Sequence, residues 1–125
     1  ETFIMENIDE SISILKNLKE IGVKLSIDDF GTGYSSLSYL KLFPIDKLKI
    51  DKSFIAEIPN SDKDIAIIKT IIALAKGLGI KVIAEGVEKT NQIDFLILEN
   101  CDEVQGWVYS KALKRDDFIE FCKNF

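Results

Sequence analysis

The chain has 125 residues, 46% of them apolar and 30% charged, which is enough apolar material for one core and carries no compositional sign of disorder. Its net charge of -5, with no cluster of Lys and Arg, argues against a nucleic-acid duplex as partner, because a phosphate backbone is bound through concentrated positive charge. Histidine is absent, which removes Ser-His-Asp and Cys-His nucleophile systems and histidine-bound zinc, so acid-base and metal chemistry must rest on carboxylates, lysine and water.

Helix and strand signals alternate along the chain. Asn7 with Glu10 predicts a capping box for a helix carrying Ile12, Leu15 and Leu18 on one face, and Gly22 suits the position just past its end. Val23 to Asp28 reads as the first strand. A short helix is expected over Ser35 to Lys41, stopped by Pro44, and Leu48 to Asp51 reads as the second strand. Ser61 with Asp64 starts a long helix with a wide apolar face: Ile65, Ile68, Ile72 and Ala75 beside Ile67, Ile71, Leu74 and Leu78. Gly79 ends it before strand Ile80 to Ala84. Thr90 is the expected cap of the next helix, through Leu98, Val104 to Tyr109 reads as the fourth strand, and Phe118, Phe121, Cys122 and Phe125 form the stripe of a closing helix. Cys101 and Cys122 are too far apart for a Cys-x-x-Cys site and are expected to be core thiols. With no signal peptide and no apolar run near the roughly 18 residues of a membrane span, a reducing, cytoplasmic location is expected, with any membrane anchor supplied by another domain.

Four short strands separated by helices imply βαβ crossovers and parallel pairing. The carboxylates then fall in one place: Asp28 and Asp29, Asp51, and Glu85 lie at or near the ends of successive strands, followed by Gln105, on the rim where barrels and open α/β sheets build sites. Adjacent Asp28 and Asp29 repel and need cations or hydrogen-bond donors, and the small-residue turn Gly31-Thr32-Gly33 allows close approach. An ordinary Asp/Gly turn capping the next helix is the plainer reading of that segment alone. Lys47, Lys49 and Asp51 share one strand face, which is a solvated face or, beside neighbouring carboxylates, a site cation. Gln105-Gly106-Trp107 adds an amide beside an aromatic ring that packs at the rim or stacks on a purine. Gly31-Thr32-Gly33 is not a dinucleotide fingerprint, since position 36 is serine and two acids precede the turn.

The segments Asp28-Asp29-Phe30-Gly31-Thr32-Gly33-Tyr34-Ser35-Ser36-Leu37, Leu48-Lys49-Ile50-Asp51-Lys52-Ser53-Phe54, Ala84-Glu85-Gly86-Val87-Glu88 and Gln105-Gly106 together resemble the EAL domain family over essentially the whole chain. That resemblance implies an α/β fold that is the C-terminal half of a (β/α)8 TIM-type barrel, with residues 1–125 forming one partial domain of four parallel strands and flanking helices. It implies hydrolysis of cyclic di-GMP to pGpG with two Mg2+ or Mn2+ ions, often beside GGDEF or sensory domains in a longer bacterial protein. By position, Asp28 matches a ligand of the first metal, Asp29 one bridging to the second, and Asp51 a second-metal or water-positioning carboxylate. Lys49 matches the lysine holding the water or phosphate, Glu85 the general base or metal-water ligand, Glu88 its supporting acid, and Gln105 the glutamine near the cluster. Glu1 aligns with the last residue of the Glu-x-Thr-Glu segment that braces the Asp-Asp-Phe-Gly loop.

Two positions depart from the family pattern: Ala112 replaces a common proline and Trp107 a common tyrosine or phenylalanine. The Glu-Ala-Leu signature, the following asparagine and the first glutamate of Glu-x-Thr-Glu are expected upstream of Glu1. The 125 residues alone are therefore expected to be inactive and need not hold either ion. They are also expected to pair as a homodimer, because a half barrel leaves open strand edges and an uncovered sheet face, expected to be apolar. The competing readings are a catalytically silent cyclic di-GMP receptor and a structural or dimerisation segment.

Overall fold

The computed structural model describes residues 7–32 and 37–125. Glu1, Gly33 and the expected helix start at Ser35 lie outside the described residues. Strands β1 (Ser26–Phe30), β2 (Lys47–Ile50), β3 (Lys81–Glu85) and β4 (Glu103–Gln105) form one sheet in the order β1-β2-β3-β4, parallel at every pairing. Helices α1 (Ile8–Glu20), α2 (Leu37–Leu42), α3 (Lys52–Ile55), α4 (Asp62–Gly77), α5 (Thr90–Leu98) and α6 (Arg115–Asn124) flank it. This is the expected α/β arrangement of successive neighbouring strands, with β1 and β4 as its edges.

The period-2 pattern of the strands sorts the two faces of the sheet. Leu48, Ile50, Val82 and Ala84 are fully buried in one cluster with Ile68, Ile71, Ile72 and Ala75 of α4. Each large side chain so buried contributes about 1.5–3 kcal/mol, which makes the sheet–α4 layer the main source of stability. α4 starts where Ser61 Oγ accepts the Asp64 backbone N–H at 3.3 Å, and Gly79 follows its end at φ +70°. The intervening strand positions carry Lys47, Lys49, Glu85 and Glu103, so the opposite face is charged, with half-buried Ile83 among them. The expectation of an apolar open face is therefore wrong: alternation sends the apolar residues to the helices and the charges to the other side. Exposed apolar side chains lie instead on helices, as with Ile14 of α1 and Phe118 of α6, and at Phe125 beyond α6.

Several local expectations are corrected. β1 begins at Ser26 and runs to Phe30, so both aspartates lie within the strand. Asn7 makes no cap bond to a helix N–H; its Nδ2 donates to Glu10 Oε2 at 2.8 Å. Gly22, at φ +93°, does end α1, with its N–H on Lys19 O and that of Val23 on Leu18 O. Asp51 does not continue β2 but caps α3, and Lys89 rather than Thr90 is the cap residue of α5. β4 stops at Gln105 because the turn after β3 docks onto its exit: Val87 N–H donates to Gln105 O and Val108 N–H to Val87 O. A side chain at Gly106 would overlap the Val87 backbone, so only glycine permits that approach. Cys101 is half-buried against the core, its Sγ 3.3 Å from Glu103 O, but Cys122 on α6 is exposed.

Candidate active site at the strand ends

β1 carries a bulge that decides the geometry of the site. Ile27 pairs with Leu48 and Phe30 with Ile50, so two residues, Asp28 and Asp29, stand opposite Lys49 alone. A regular strand would send adjacent side chains to opposite faces. The extra residue is taken up at Asp29, which adopts φ +52°, and Phe30 returns to the buried face at 6% exposure. Asp29 is held there by Thr32, whose N–H and Oγ1 both donate to Asp29 O, at 3.1 and 2.7 Å. Gly31 follows at φ +98°, where a Cβ would lie 2.8 Å from the Phe54 ring.

The bulge gathers three carboxylates. Asp28, Asp29 and Glu85 each present an oxygen within 4.8 Å of the others. Lys49, on the shared face of β2, reaches Glu85 Oε1 at 2.5 Å and Asp28 Oδ2 at 3.1 Å. The hydrogen bond to Glu85, reinforced by the one to Asp28, holds the Lys49 ammonium above its ordinary pKa, and the Lys49 hydrogen bond holds Asp28 below the ordinary carboxylate value. Asp29 has no such cation among the described residues: the charge of Asp28, then slight desolvation and the charge of Asp51, raise its pKa. Asp51 sits beside this cluster, with Oδ1 accepting the Ser53 N–H at 2.9 Å, and its hydrogen bonds to Ser53 lower its pKa. The cluster thus carries more negative charge than Lys49 offsets.

The donor set fits a hard divalent cation: three carboxylate oxygens converge with neither histidine nor thiolate. The unrelieved repulsion on Asp29 is what such a cation would remove.

A cleft of about 750 Å3 opens next to the cluster, lined by Lys52, Glu85, Glu88, Gln105, Gly106 and Trp107 among others. Trp107 is 61% exposed, with Lys111 Nζ 4.6 Å from its ring centroid. Of the residues singled out by sequence, Asp28, Asp29, Lys49 and Glu85 therefore meet directly and Asp51 borders them. Glu88, Gln105, Gly106 and Trp107 lie in the adjoining cleft, Gly31 and Thr32 shape the bulge, and Glu1 and Gly33 lie outside the described residues.

Sequence reasoning missed the Lys47–Glu103 pair, 2.6 Å apart on the same charged face, and the buried amide of Gln92. The register of β2 with β3 and β4 is needed to see the first. The second had a local signal, since glutamine at the third position of a helix is half of a capping box.

The profile of the family described as EAL domain matches residues 1–112. The chain belongs to the EAL domain family. It is 50% identical over 125 residues to the cyclic di-GMP phosphodiesterase NbdA of Pseudomonas aeruginosa, covering all of this chain and 16% of NbdA. It is also similar to the solved cyclic di-GMP complex of the MucR phosphodiesterase of the same organism, with a TM-score of 0.84, 43% identity, and coverage of 92% of this chain and 47% of that one. A third similarity is to the manganese and cyclic di-GMP complex of Klebsiella pneumoniae BlrP1, with a TM-score of 0.78, 38% identity, and coverage of 89% of this chain and 28% of that one. The chain thus spans about half of the solved MucR chain and a small part of NbdA. Its four parallel strands correspond to part of an EAL domain barrel of the TIM type. No helix among the described residues is long and apolar enough to cross a membrane.

Proposed function

We propose that this EAL chain is the C-terminal half of a barrel that hydrolyses cyclic di-GMP to pGpG with two divalent ions, Mg2+ or Mn2+. The observation that carries the reading is the Lys49 ammonium set between Asp28 and Glu85 at the strand ends, with Asp29 turned into the same cluster by the bulge. The 50% identity to NbdA and the likeness to cyclic di-GMP complexes support the substrate.

Asp28, Asp29 and Glu85 hold the ions in this reading, with Asp51 and Gln105 at the edge of the cluster. The ions, when bound, activate water and stabilise the leaving oxygen. Lys49 supplies a fixed positive charge for a phosphate oxygen, and its two carboxylate partners hold it in place. Glu85 would serve either as ligand of the metal-bound water or as its general base, supported by Glu88. The exposed face of Trp107, with Gln105 and Gly106, offers a guanine base a stacking surface and an amide edge.

The protein works in the cytoplasm, joined to GGDEF or sensory domains, as the bifunctional diguanylate cyclase/phosphodiesterase name of MucR suggests by analogy. The 125 residues alone contain no Glu-Ala-Leu segment and turn over little or no substrate. They pair as a homodimer through β1 and β4, which are the edges of the sheet among the described residues. A stable 14.1 kDa monomer by sedimentation at micromolar concentration would refute that pairing. The activity is tested by incubating the full-length protein with cyclic di-GMP and Mn2+ and separating the products: pGpG formation that Glu85→Gln abolishes supports the reading, and turnover unchanged by that substitution contradicts it.

A further inference from the structure

We propose that Gln92 is a positioning residue that locks the turn after Glu85 to the helix capped by Asp51, and so sets the spacing of the acidic site. Its amide is 2% exposed and bonds on both sides. Oε1 accepts the backbone N–H groups of Glu88 and Lys89 at 2.9 and 3.0 Å, while Nε2 donates to Ile55 O at 2.9 Å and lies 3.4 Å from Ala56 O. Two acceptor sites meet two N–H donors, and two N–H groups face two carbonyls, so the side chain's whole capacity is used. Glutamate would keep only the accepting half, and leucine neither.

Both strands of that lock lead straight to the site. From Glu88 the chain runs back through fully buried Val87 and through Gly86, which is at φ +73° and leaves no room for a Cβ, 2.6 Å from that of Lys52, to Glu85. From Ile55 the single turn of α3 runs back to its cap, Asp51. Two carboxylate-bearing segments from different strands therefore share one buried amide. A close-packed interior transmits a shift at either end, and groups that orient metal-site residues in this way typically change affinity or rate about 10- to 100-fold when removed.

The inference rests on the proposed function, and its test separates the two. In the full-length protein, Gln92→Leu is expected to weaken Mn2+ binding, titrated without substrate, by about tenfold or more, and to lower kcat by a similar factor with KM for cyclic di-GMP changed by less than about twofold. Leu96→Ala, a fully buried change in the same helix, is the control: it lowers the melting temperature but keeps Mn2+ affinity within about twofold of the original. Gln92→Leu that behaves like this control overturns the proposal. Should Gln92→Leu not fold, Gln92→Glu decides, with Mn2+ binding at least about threefold weaker expected and unchanged binding overturning the idea. A protein that binds Mn2+ without hydrolysing cyclic di-GMP would refute the activity while leaving the Mn2+ comparison as a test of Gln92. One that binds no Mn2+ would overturn both.

Discussion

Lys49 Nζ lies 2.5 Å from Glu85 Oε1 and 3.1 Å from Asp28 Oδ2, so one cation from β2 joins carboxylates delivered by the strands on either side. It is the counter-charge that lets a sheet carry three clustered acids. The same geometry makes Lys49 sensitive in two ways, as a charge for the substrate and as a brace for the cluster.

Lys49→Met is expected to keep the fold, because its stem is only partly enclosed, and to lower kcat by about 10²- to 10³-fold, as loss of a positioned transition-state charge does. The pKa of Asp28 should rise in the variant, since the Lys49 hydrogen bond is the main cause of its depression. NMR titration of the Asp28 carboxyl in the metal-free protein checks this. An unmoved Asp28 would mean that the pair is not formed in solution.

Stability should follow the same pair across pH in the metal-free protein. The Lys49 pKa is raised above 10.5, so its contribution is full below that value and is lost as pH rises through the higher folded pKa. The Asp28 pKa is lowered below 3.8, so its contribution is present above that value and is lost as pH falls through the lower folded pKa. The difference in urea midpoint between the unaltered protein and Lys49→Met should plateau between about pH 4 and 10 and shrink at both ends. A pH-independent difference is the contrary result.

Asp29 combines a positive φ with uncompensated repulsion, and both are relieved by Asp29→Gly. That variant should melt a few degrees higher than the metal-free protein while losing Mn2+-dependent stabilisation. Thermal unfolding with and without Mn2+ measures both. A lower melting point without metal would show that the strain and repulsion are not expressed.

Gly106→Ala should destabilise by about 1–3 kcal/mol or more, because the added Cβ meets the Val87 backbone, which cannot rotate away as a side chain could. The loss should be accompanied by faster hydrogen exchange at Val87 and Val108, whose N–H groups bond across this contact. A variant as stable as its parent would place Val87 elsewhere.

The four parallel strands were legible from short apolar runs separated by helices, and the long α4 from its apolar periodicity and Ser61 cap. The location of Asp28, Asp29, Asp51 and Glu85 at or near strand ends followed from that order. What could not be read was the β1 bulge, since a one-residue register shift leaves no mark in composition and depends on Phe30 finding its place against the core. The open face was expected to be apolar, whereas Lys47 and Lys49 alternate with Leu48 and Ile50 and put charge there. Asp51 read as strand because its capping bond to Ser53 is made only once α3 turns away from β2.

The central claim is tested most directly by following cyclic di-GMP with the full-length protein at saturating Mn2+, beside its Asp28→Asn variant. The account predicts conversion to linear pGpG and its loss in the variant, since Asp28 both binds Lys49 and belongs to the carboxylate cluster with Asp29 and Glu85. Tight cyclic di-GMP binding with no product would contradict it and make this EAL domain a silent receptor, and product formed equally by the variant would remove Asp28 from the chemistry.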